Sequence, residues 1–289
     1  MNIFSIANMP EMRSIFFFNR ISLDISESVR RLETGQRIIT GKDDPSGLLS
    51  RETMRTDIRG IQAAQRNMMA ANGLLSSAES GLANISQMLL GDINKDDTGL
   101  LGLIYDDTIP TEMKQQQIND ILNLIDGTIR ATTYGGKQIL DGSLSEERGG
   151  ALFQLGKDVQ ASSQYRMNLP SMTVSRLGGA SGVLEDLRTM DLESDADKAK
   201  AYAIINEAVN MVATQRGTIG AVQKHVLESN ARNLDIQLER VSEAEGLISN
   251  VDMALESSRL NRAEILAQSA MRAILYSRNF GQFILNALL

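Results

Sequence analysis

The sequence predicts a mainly α-helical protein, with long antiparallel helices in a bundle or coiled-coil rod, terminal helices, and a small β-hairpin region in mid-chain. Three observations support this prediction. Apolar residues recur at every seventh position from 54 to 89, a spacing that holds one helix face against a partner. Helical spacing of three and four residues returns between Ile219 and Leu255. Between these regions, glycine pairs such as Gly135-Gly136 indicate short segments joined by turns.

The first element is a helix whose apolar residues recur at steps of four and three. Gly35 follows this stripe and is a typical helix stop. Residues 35–47 are rich in turn formers, with Asp44 placed to cap the next helix and Pro45 suited to its first position. This stretch predicts a connector between two helices. The residues of the first stripe are Ile21, Ile25, Val29 and Leu32.

The second element is the helix that carries the seven-residue repeat, and we expect its stripe to pack inside the rod. Small residues three positions further on, such as Ala71 and Ala78, allow a partner helix to approach closely. The helix should end near Gly91, before a polar turn at 92–99. A further helix is predicted from Thr111 to Thr132. The residues of the rod seam are Met54, Ile61, Met68, Leu75, Leu82 and Leu89.

The middle of the chain, from about 134 to 180, has a different residue pattern. Turn pairs of glycine or aspartate with glycine separate short segments, which favours strands over helices. Strands are predicted at Ala151–Leu155 and Tyr165–Val174, with Pro170 placing the second at an edge or a bulge. After the acidic stretch 191–197 the helical pattern resumes.

Composition excludes several classes of protein. The 289 residues include no cysteine, so disulfides cannot stabilise the fold. The net charge of −7 argues against binding to nucleic acid. No apolar run approaches the roughly 20 residues of a membrane-spanning helix. Glu11 and Arg13 precede the apolar patch 15–18, which argues against a cleaved signal peptide.

No residue pattern indicates an active site, a cofactor or a metal centre. The stretch from Gly35 to Lys42 has the wrong spacing for a phosphate-binding loop, and Asp43 stands where such a loop needs a hydroxyl group. The acidic stretch 92–97 lacks the central glycine of a calcium loop. His225 is the only histidine, which excludes a histidine-based metal cluster. An enzyme with a helical dimer seam remains the alternative from another class.

Several segments resemble bacterial flagellin, in the order in which that family carries them. Two of these segments follow the first helix, two lie in the glycine-rich middle of the chain, and two lie in the returning helix. The resemblance covers nearly the whole chain. The segments are Leu32–Ile38, Gly41–Leu48, Tyr134–Gly142, Phe153–Gly156, Gln215–Gln223 and Ala244–Ala254.

The resemblance implies a structural subunit of the flagellar filament and no enzymatic activity. It implies an extracellular helical homopolymer, exported unfolded without a cleaved signal peptide. Export apparatus, export chaperone, filament cap and hook-junction proteins are the further partners that it implies. An inner-tube domain would comprise residues 1–43 and 254–289, and a helical rod would comprise 44–253, with no large surface domain. The hook–filament junction protein, which shares the helical ends, is the alternative within the same assembly.

The terminal stripes are expected to hold subunits together in the polymer, whereas the rod seam packs within one subunit. Phe16-Phe17-Phe18 departs from the family's usual first helix. The segment after the seam lacks the arginine that in many flagellins contributes to recognition by a host innate receptor, since no arginine occurs between Arg66 and Arg130. The resemblance therefore implies weak or absent recognition. The residues predicted for the polymerisation interface are Ile21, Ile25, Val29, Leu32, Leu260, Ile265, Leu266, Ile274 and Leu275.

Overall fold

The structure is a computed structural model that describes residues 9–91, 99–158 and 160–288. The chain divides into two compact units. The terminal unit comprises the described residues up to 58 and those from 239 onward, and the body unit comprises 59–238. Long helices dominate both, and the strands within the described ranges form small antiparallel pairs. The predicted fold class is confirmed. The helices are α1 Met9–Thr34, α2 Pro45–Leu90, α3 Gly99–Tyr105, α4 Thr111–Ala131, α5 Asp195–Ala221, α6 Glu228–Ser249 and α7 Met253–Leu288.

The bounds of α2 follow from local chemistry. Pro45 is its first residue, and the side chain of Asp44 accepts a hydrogen bond from the amide of Gly47 at 2.8 Å. This satisfies one of the amides that every helix leaves unpaired at its start. The helix ends at Leu90, and Gly91 then adopts a φ of +81° that favours glycine. The predicted cap and end are confirmed, whereas most of the polar turn predicted at 92–99 lies outside the described residues.

The core of the body unit lies along α2. Its fully buried side chains recur at three- and four-residue steps and pack with those of α4 and α5. The short helix α3 adds Leu100 and Ile104 to the same core, although the sequence analysis did not predict a helix there. The buried α2 residues of this unit are Ile61, Ala64, Met68, Ala71, Leu75, Ala78, Leu82, Ile85 and Leu89.

Three strand pairs occupy the middle of the chain. The longest joins β3, Ala151–Gln154, to β4, Gln164–Met167, with Ala151 opposite Met167. The predicted second strand, Tyr165–Val174, is therefore too long. Beyond Met167 the backbone leaves the ladder, and Met172 donates to the carbonyl of Leu140 instead. Two-residue strands form the other pairs: β1 Thr133–Tyr134 with β2 Lys137–Gln138, and β5 Gly178–Gly179 with β6 Gly182–Val183.

A π-helical segment, Val222–Leu227, joins α5 to α6 without interrupting the helix. The buried residues around it are Ile219, Val222, Leu227 and Leu234, at steps of three, five and seven. A regular α-helix would place residue 226 on the buried face, so the five-residue step needs a wider turn. The π turn absorbs one extra residue and keeps Leu227 and Leu234 buried. The helical spacing of the sequence predicts a continuous helix here and gives no sign of this turn.

Candidate interface on the terminal helices

Helices α1 and α7 pack against each other along their lengths. The hydroxyl of Ser28, near the end of α1, donates a hydrogen bond to Oε1 of Glu256, near the start of α7, at 2.7 Å. Because the last turns of one helix lie beside the first turns of the other, the two run in opposite directions.

The contact between α1 and α7 follows coiled-coil spacing. The less exposed residues of both helices recur at steps of four and three. Since Ser28 lies opposite Glu256, one seven-residue step places Ile21 opposite Ala263, and a second places Ser14 opposite Ala270. We call these positions the terminal seam. Its residues are Ser14, Phe18, Ile21, Ile25, Ser28 and Leu32 on α1, and Glu256, Leu260, Ala263, Ala267, Ala270, Ile274 and Ser277 on α7.

A short pairing of two backbone segments, here called the clasp, links the end of α1 to the start of α7. Arg37 donates its amide to the carbonyl of Ser249 at 2.7 Å, and Val251 donates to the carbonyl of Gly35 at 3.0 Å. Gly35 has a φ of +66°, which lets the chain turn out of α1 into this pairing. The guanidinium of Arg37 also donates to the carbonyl of Ile248. The two terminal helices therefore extend from a common base.

The connector between α1 and α2 is held by two charged side chains. Arg51 is buried and donates to the carbonyl of Ile38. A carboxylate oxygen of Asp43 accepts the amides of Thr40, at 2.8 Å, and Ile39, at 3.0 Å. The bond from the Thr40 amide is the largest cause of a pKa of Asp43 below its ordinary value. These bonds fix the path of the chain between the terminal helices and α2.

Outside the terminal seam, the exposed surfaces of α1 and α7 carry many large apolar side chains. Phe16 is 69% exposed and Tyr276 is 76% exposed. Large apolar side chains exposed in this number on two neighbouring helices indicate an interaction site. We call this surface the outer face. Its residues are Met12, Ile15, Phe16, Phe17, Leu23 and Val29 on α1, and Met253, Leu255, Ile265, Leu266, Met271, Leu275 and Tyr276 on α7.

The structure divides the residues predicted for the polymerisation interface between these two surfaces. Five lie in the terminal seam within the chain: Ile21, Ile25, Leu32, Leu260 and Ile274. Four lie on the outer face: Val29, Ile265, Leu266 and Leu275.

The six residues predicted for the rod seam also lie in different places. Ile61, Met68, Leu75, Leu82 and Leu89 are buried in the body unit, whereas Met54 is half-buried in the terminal unit. The outer face extends well beyond the predicted residues. In the sequence, the adjacent aromatic residues Phe16 and Phe17 are the feature that could have indicated this face.

The parts of the chain that the structure describes show no group of three histidine or acidic side chains able to hold a metal ion. His225 is exposed in the π-helical segment. The acidic stretch 92–97 lies outside the described residues. Nor does any helix within the described ranges combine the length and apolar character needed to cross a membrane.

Paired terminal helices with a large uncovered apolar face define a helical structural protein that associates with other chains. Two family models match it: the bacterial flagellin N-terminal helical region over residues 7–145, and the C-terminal helical region over residues 202–288. The chain belongs to the bacterial flagellin family. It is a structural subunit of the flagellar filament, which is an extracellular polymer.

Known filament proteins resemble the chain over almost its full length. Flagellin of Bacillus subtilis (strain 168) is 29% identical, with 93% of this chain and 95% of the relative aligned. The flagellar filament 30.7 kDa core protein of Treponema maltophilum is 25% identical, with 90% and 91% aligned. These relatives favour a filament subunit over the hook–filament junction protein.

A solved structure shows the same fold. It is described as a flagellar hook-associated protein of Vibrio parahaemolyticus and superposes with a TM-score of 0.57 over 72% of this chain and 99% of its own. Its sequence identity of 15% limits the likeness to the fold.

Proposed function

We propose that this subunit polymerises through the outer face of α1 and α7. Residues 1–43 and 254–289 form the inner-tube domain, and residues 44–253 form a helical rod domain with a small β region near 134–180. The chain acts as a structural protein and not as an enzyme. It is exported unfolded without a cleaved signal peptide. The export apparatus, an export chaperone, the filament cap and hook-junction proteins are its other partners.

The observation that carries this proposal is the contrast between seam and outer face in the terminal unit. Among the described apolar residues of that unit, only Ile21, Ile38 and Ala270 are buried, while thirteen large apolar side chains form the outer face of α1 and α7. Burying one such side chain contributes about 1.5–3 kcal/mol. Neighbouring subunits are the natural source of that burial in a polymer.

The same contrast supports ordering of the terminal helices during assembly. Fixing a residue in one backbone conformation costs about 1–2 kcal/mol. Of the apolar residues in the terminal seam, only Ile21 and Ala270 are buried, so contacts within one chain offset little of this cost. Contacts with neighbours on docking supply the rest, as in other segments that fold on binding.

Passage through an export channel in an unfolded state is compatible with the covalent structure. The chain has no cysteine, so no disulfide needs to be broken before export or formed afterwards. Folding therefore depends on packing and on contacts with other subunits alone.

The test replaces exposed apolar side chains on the terminal unit and, as a control, on the body unit. Replacing Ile265 and Leu266 with serine removes apolar surface from the outer face. Replacing Met69 and Leu152, which are exposed on the body unit, provides the matched control. Sedimentation measures the critical concentration for polymerisation, and electron microscopy shows whether filaments form.

We expect the outer-face variant to raise the critical concentration at least tenfold, because the loss of two buried apolar side chains costs several times 1.4 kcal/mol. The body variant should polymerise normally. Equal critical concentrations for the two variants would contradict the proposal, as would filaments formed by a chain without residues 1–40 and 255–289.

A further inference from the structure

One charged side chain is buried in the contact between α1 and α7, close to the clasp. Glu256 is 3% exposed, and Ser28, which donates to it, is 7% exposed. Two arginines complete the cluster: Nη1 of Arg259 lies 3.3 Å from Oε2 of Glu256, and Nη1 of Arg31 lies 4.0 Å from Oε1. A carboxylate this deeply buried is costly unless it is paired and hydrogen-bonded, so the cluster depends on one arrangement of the two helices.

Apolar burial alone would favour a different arrangement. Helix α7 turns alanines such as Ala263 and Ala267 towards α1 while the larger Ile265 and Leu266 remain exposed. Adjacent residues of an α-helix are about 100° apart around the axis. A rotation of α7 by part of a turn would therefore bury large side chains against α1 in place of alanine.

The clasp does not prevent such a rotation. It joins residues on either side of Asn250 to the end of α1 and so limits sliding of α7 along α1. Asp252 alone separates the clasped Val251 from α7, so its backbone angles are the point at which the helix could turn about its own axis. An interaction along the helices has to select the observed face.

We propose that Glu256 sets the rotational alignment of α7 on α1 and thereby determines which side chains form the outer face. In this alignment alone the carboxylate meets the hydroxyl of Ser28 and the guanidinium of Arg31. A rotated α7 would turn the carboxylate of Glu256 away from the Ser28 hydroxyl, which donates to it here. Single buried polar groups fix the alignment of coiled coils in the same way. The inference rests on the proposed function, since it concerns the surface through which subunits assemble.

The experiment uses the natural lack of cysteine to measure alignment by disulfide formation in assembled filaments. The pair Ser14→Cys with Ala270→Cys reports the observed alignment. The pair Ser14→Cys with Ala273→Cys reports a rotated one, because Ala273 lies on the neighbouring, exposed side of α7. Both pairs replace small side chains outside the outer face, and each is introduced into four backgrounds: the native chain, Glu256→Leu, Glu256→Gln and Glu264→Leu.

In the native background the Ser14–Ala270 pair should cross-link at least tenfold more than the rotated pair. Glu256→Leu should reduce this ratio to near one, whereas Glu256→Gln should keep it, because the amide oxygen still accepts from Ser28. Glu264 is exposed on α7, and its replacement by leucine should leave the ratio unchanged. An unchanged ratio in Glu256→Leu would overturn the inference.

Variants that do not assemble alone are mixed as a minority with native chains, so that their internal cross-links are read in native filaments. Exclusion of Glu256→Leu with incorporation of Glu256→Gln supports the inference, since the two differ in the hydrogen-bond acceptor. Exclusion of both, with Glu264→Leu incorporated, overturns it. Failure of the proposed function is a separate result, because it appears as normal critical concentrations for the outer-face variant while the cross-link ratios stay measurable.

Discussion

The body unit and the terminal unit use the same apolar spacing with opposite results. In the body unit the stripe of α2 is covered by other helices of the same chain, and Leu75, Leu82 and Leu89 are fully buried. In the terminal unit α1 and α7 cover only one face of each other, and apolar side chains remain exposed on the rest. A helix with apolar residues on more faces than one partner can cover is suited to burial among several chains.

The strongest test of this contrast truncates one apolar side chain in each unit. Leu82→Ala leaves a cavity in the body core and should lower the free energy of unfolding by about 2–5 kcal/mol. Ile265→Ala removes a side chain that is 63% exposed and should change it by less than about 0.5 kcal/mol. Urea unfolding of the unpolymerised chain measures both. A similar loss in the two variants would show that the outer face is already covered within one chain.

The connector offers a test of intermediate size. Asp44→Ala removes the side chain that accepts the Gly47 amide at the start of α2, and the loss of such a cap costs about 1 kcal/mol. Lys42→Ala, at an exposed position in the same loop, serves as the control and should be nearly neutral. Thermal unfolding followed by circular dichroism compares them. Equal melting temperatures for the two variants would mean that the cap does not stabilise α2.

A smaller effect is expected from the ion pair between Glu79 and Arg216 in the body unit. Nη2 of Arg216 lies 2.8 Å from Oε1 of Glu79, and both side chains are 38% exposed. Pairs in water-accessible positions contribute about 0.2–1 kcal/mol. A double-mutant cycle with alanine should give a coupling in that range that weakens in high salt. A coupling energy that does not fall in high salt would indicate that the two side chains are less accessible to water than the structure shows.

The smallest expected effect is a pH dependence in the terminal unit. Because the pKa of Asp43 is lowered by the Thr40 amide, its ionised form stabilises the folded state. This contribution is present above the unfolded-state pKa of about 3.9 and is lost as the pH falls through the lowered folded-state pKa. Urea midpoints of the native chain and Asp43→Asn should therefore differ at pH 6 and converge below pH 3. A difference in urea midpoint that does not change with pH would show that the effect comes from the shape of the side chain and not from its charge.

Much of the body unit was predictable because its signals are local. The seven-residue repeat identified the buried face of α2 in this unit. The short helix α3 escaped prediction because its seven residues are all apolar or glycine and show no period. The π turn escaped because adjacent apolar residues, Val226 and Leu227, both fit a helical stripe, and only packing decides which is buried.

The helices of the terminal unit were predictable from the sequence, but which of their side chains are exposed was not. Its apolar residues lie on several faces, so periodicity alone could not separate Ile21, which contacts α7, from Val29, which is exposed. The buried Glu256 had no sequence signal at all, since a glutamate in the first turn of a helix is ordinary there. These distinctions depend on contacts between residues far apart in the chain.

The clasp has a consequence for chains that are synthesised only in part. It joins segments more than two hundred positions apart, so α1 has no partner in its own chain until α7 has been synthesised. A prematurely terminated chain presents α1 without α7 and with a bare terminal seam. On the proposed assembly through the outer face, such a chain lacks the part of that face that α7 supplies.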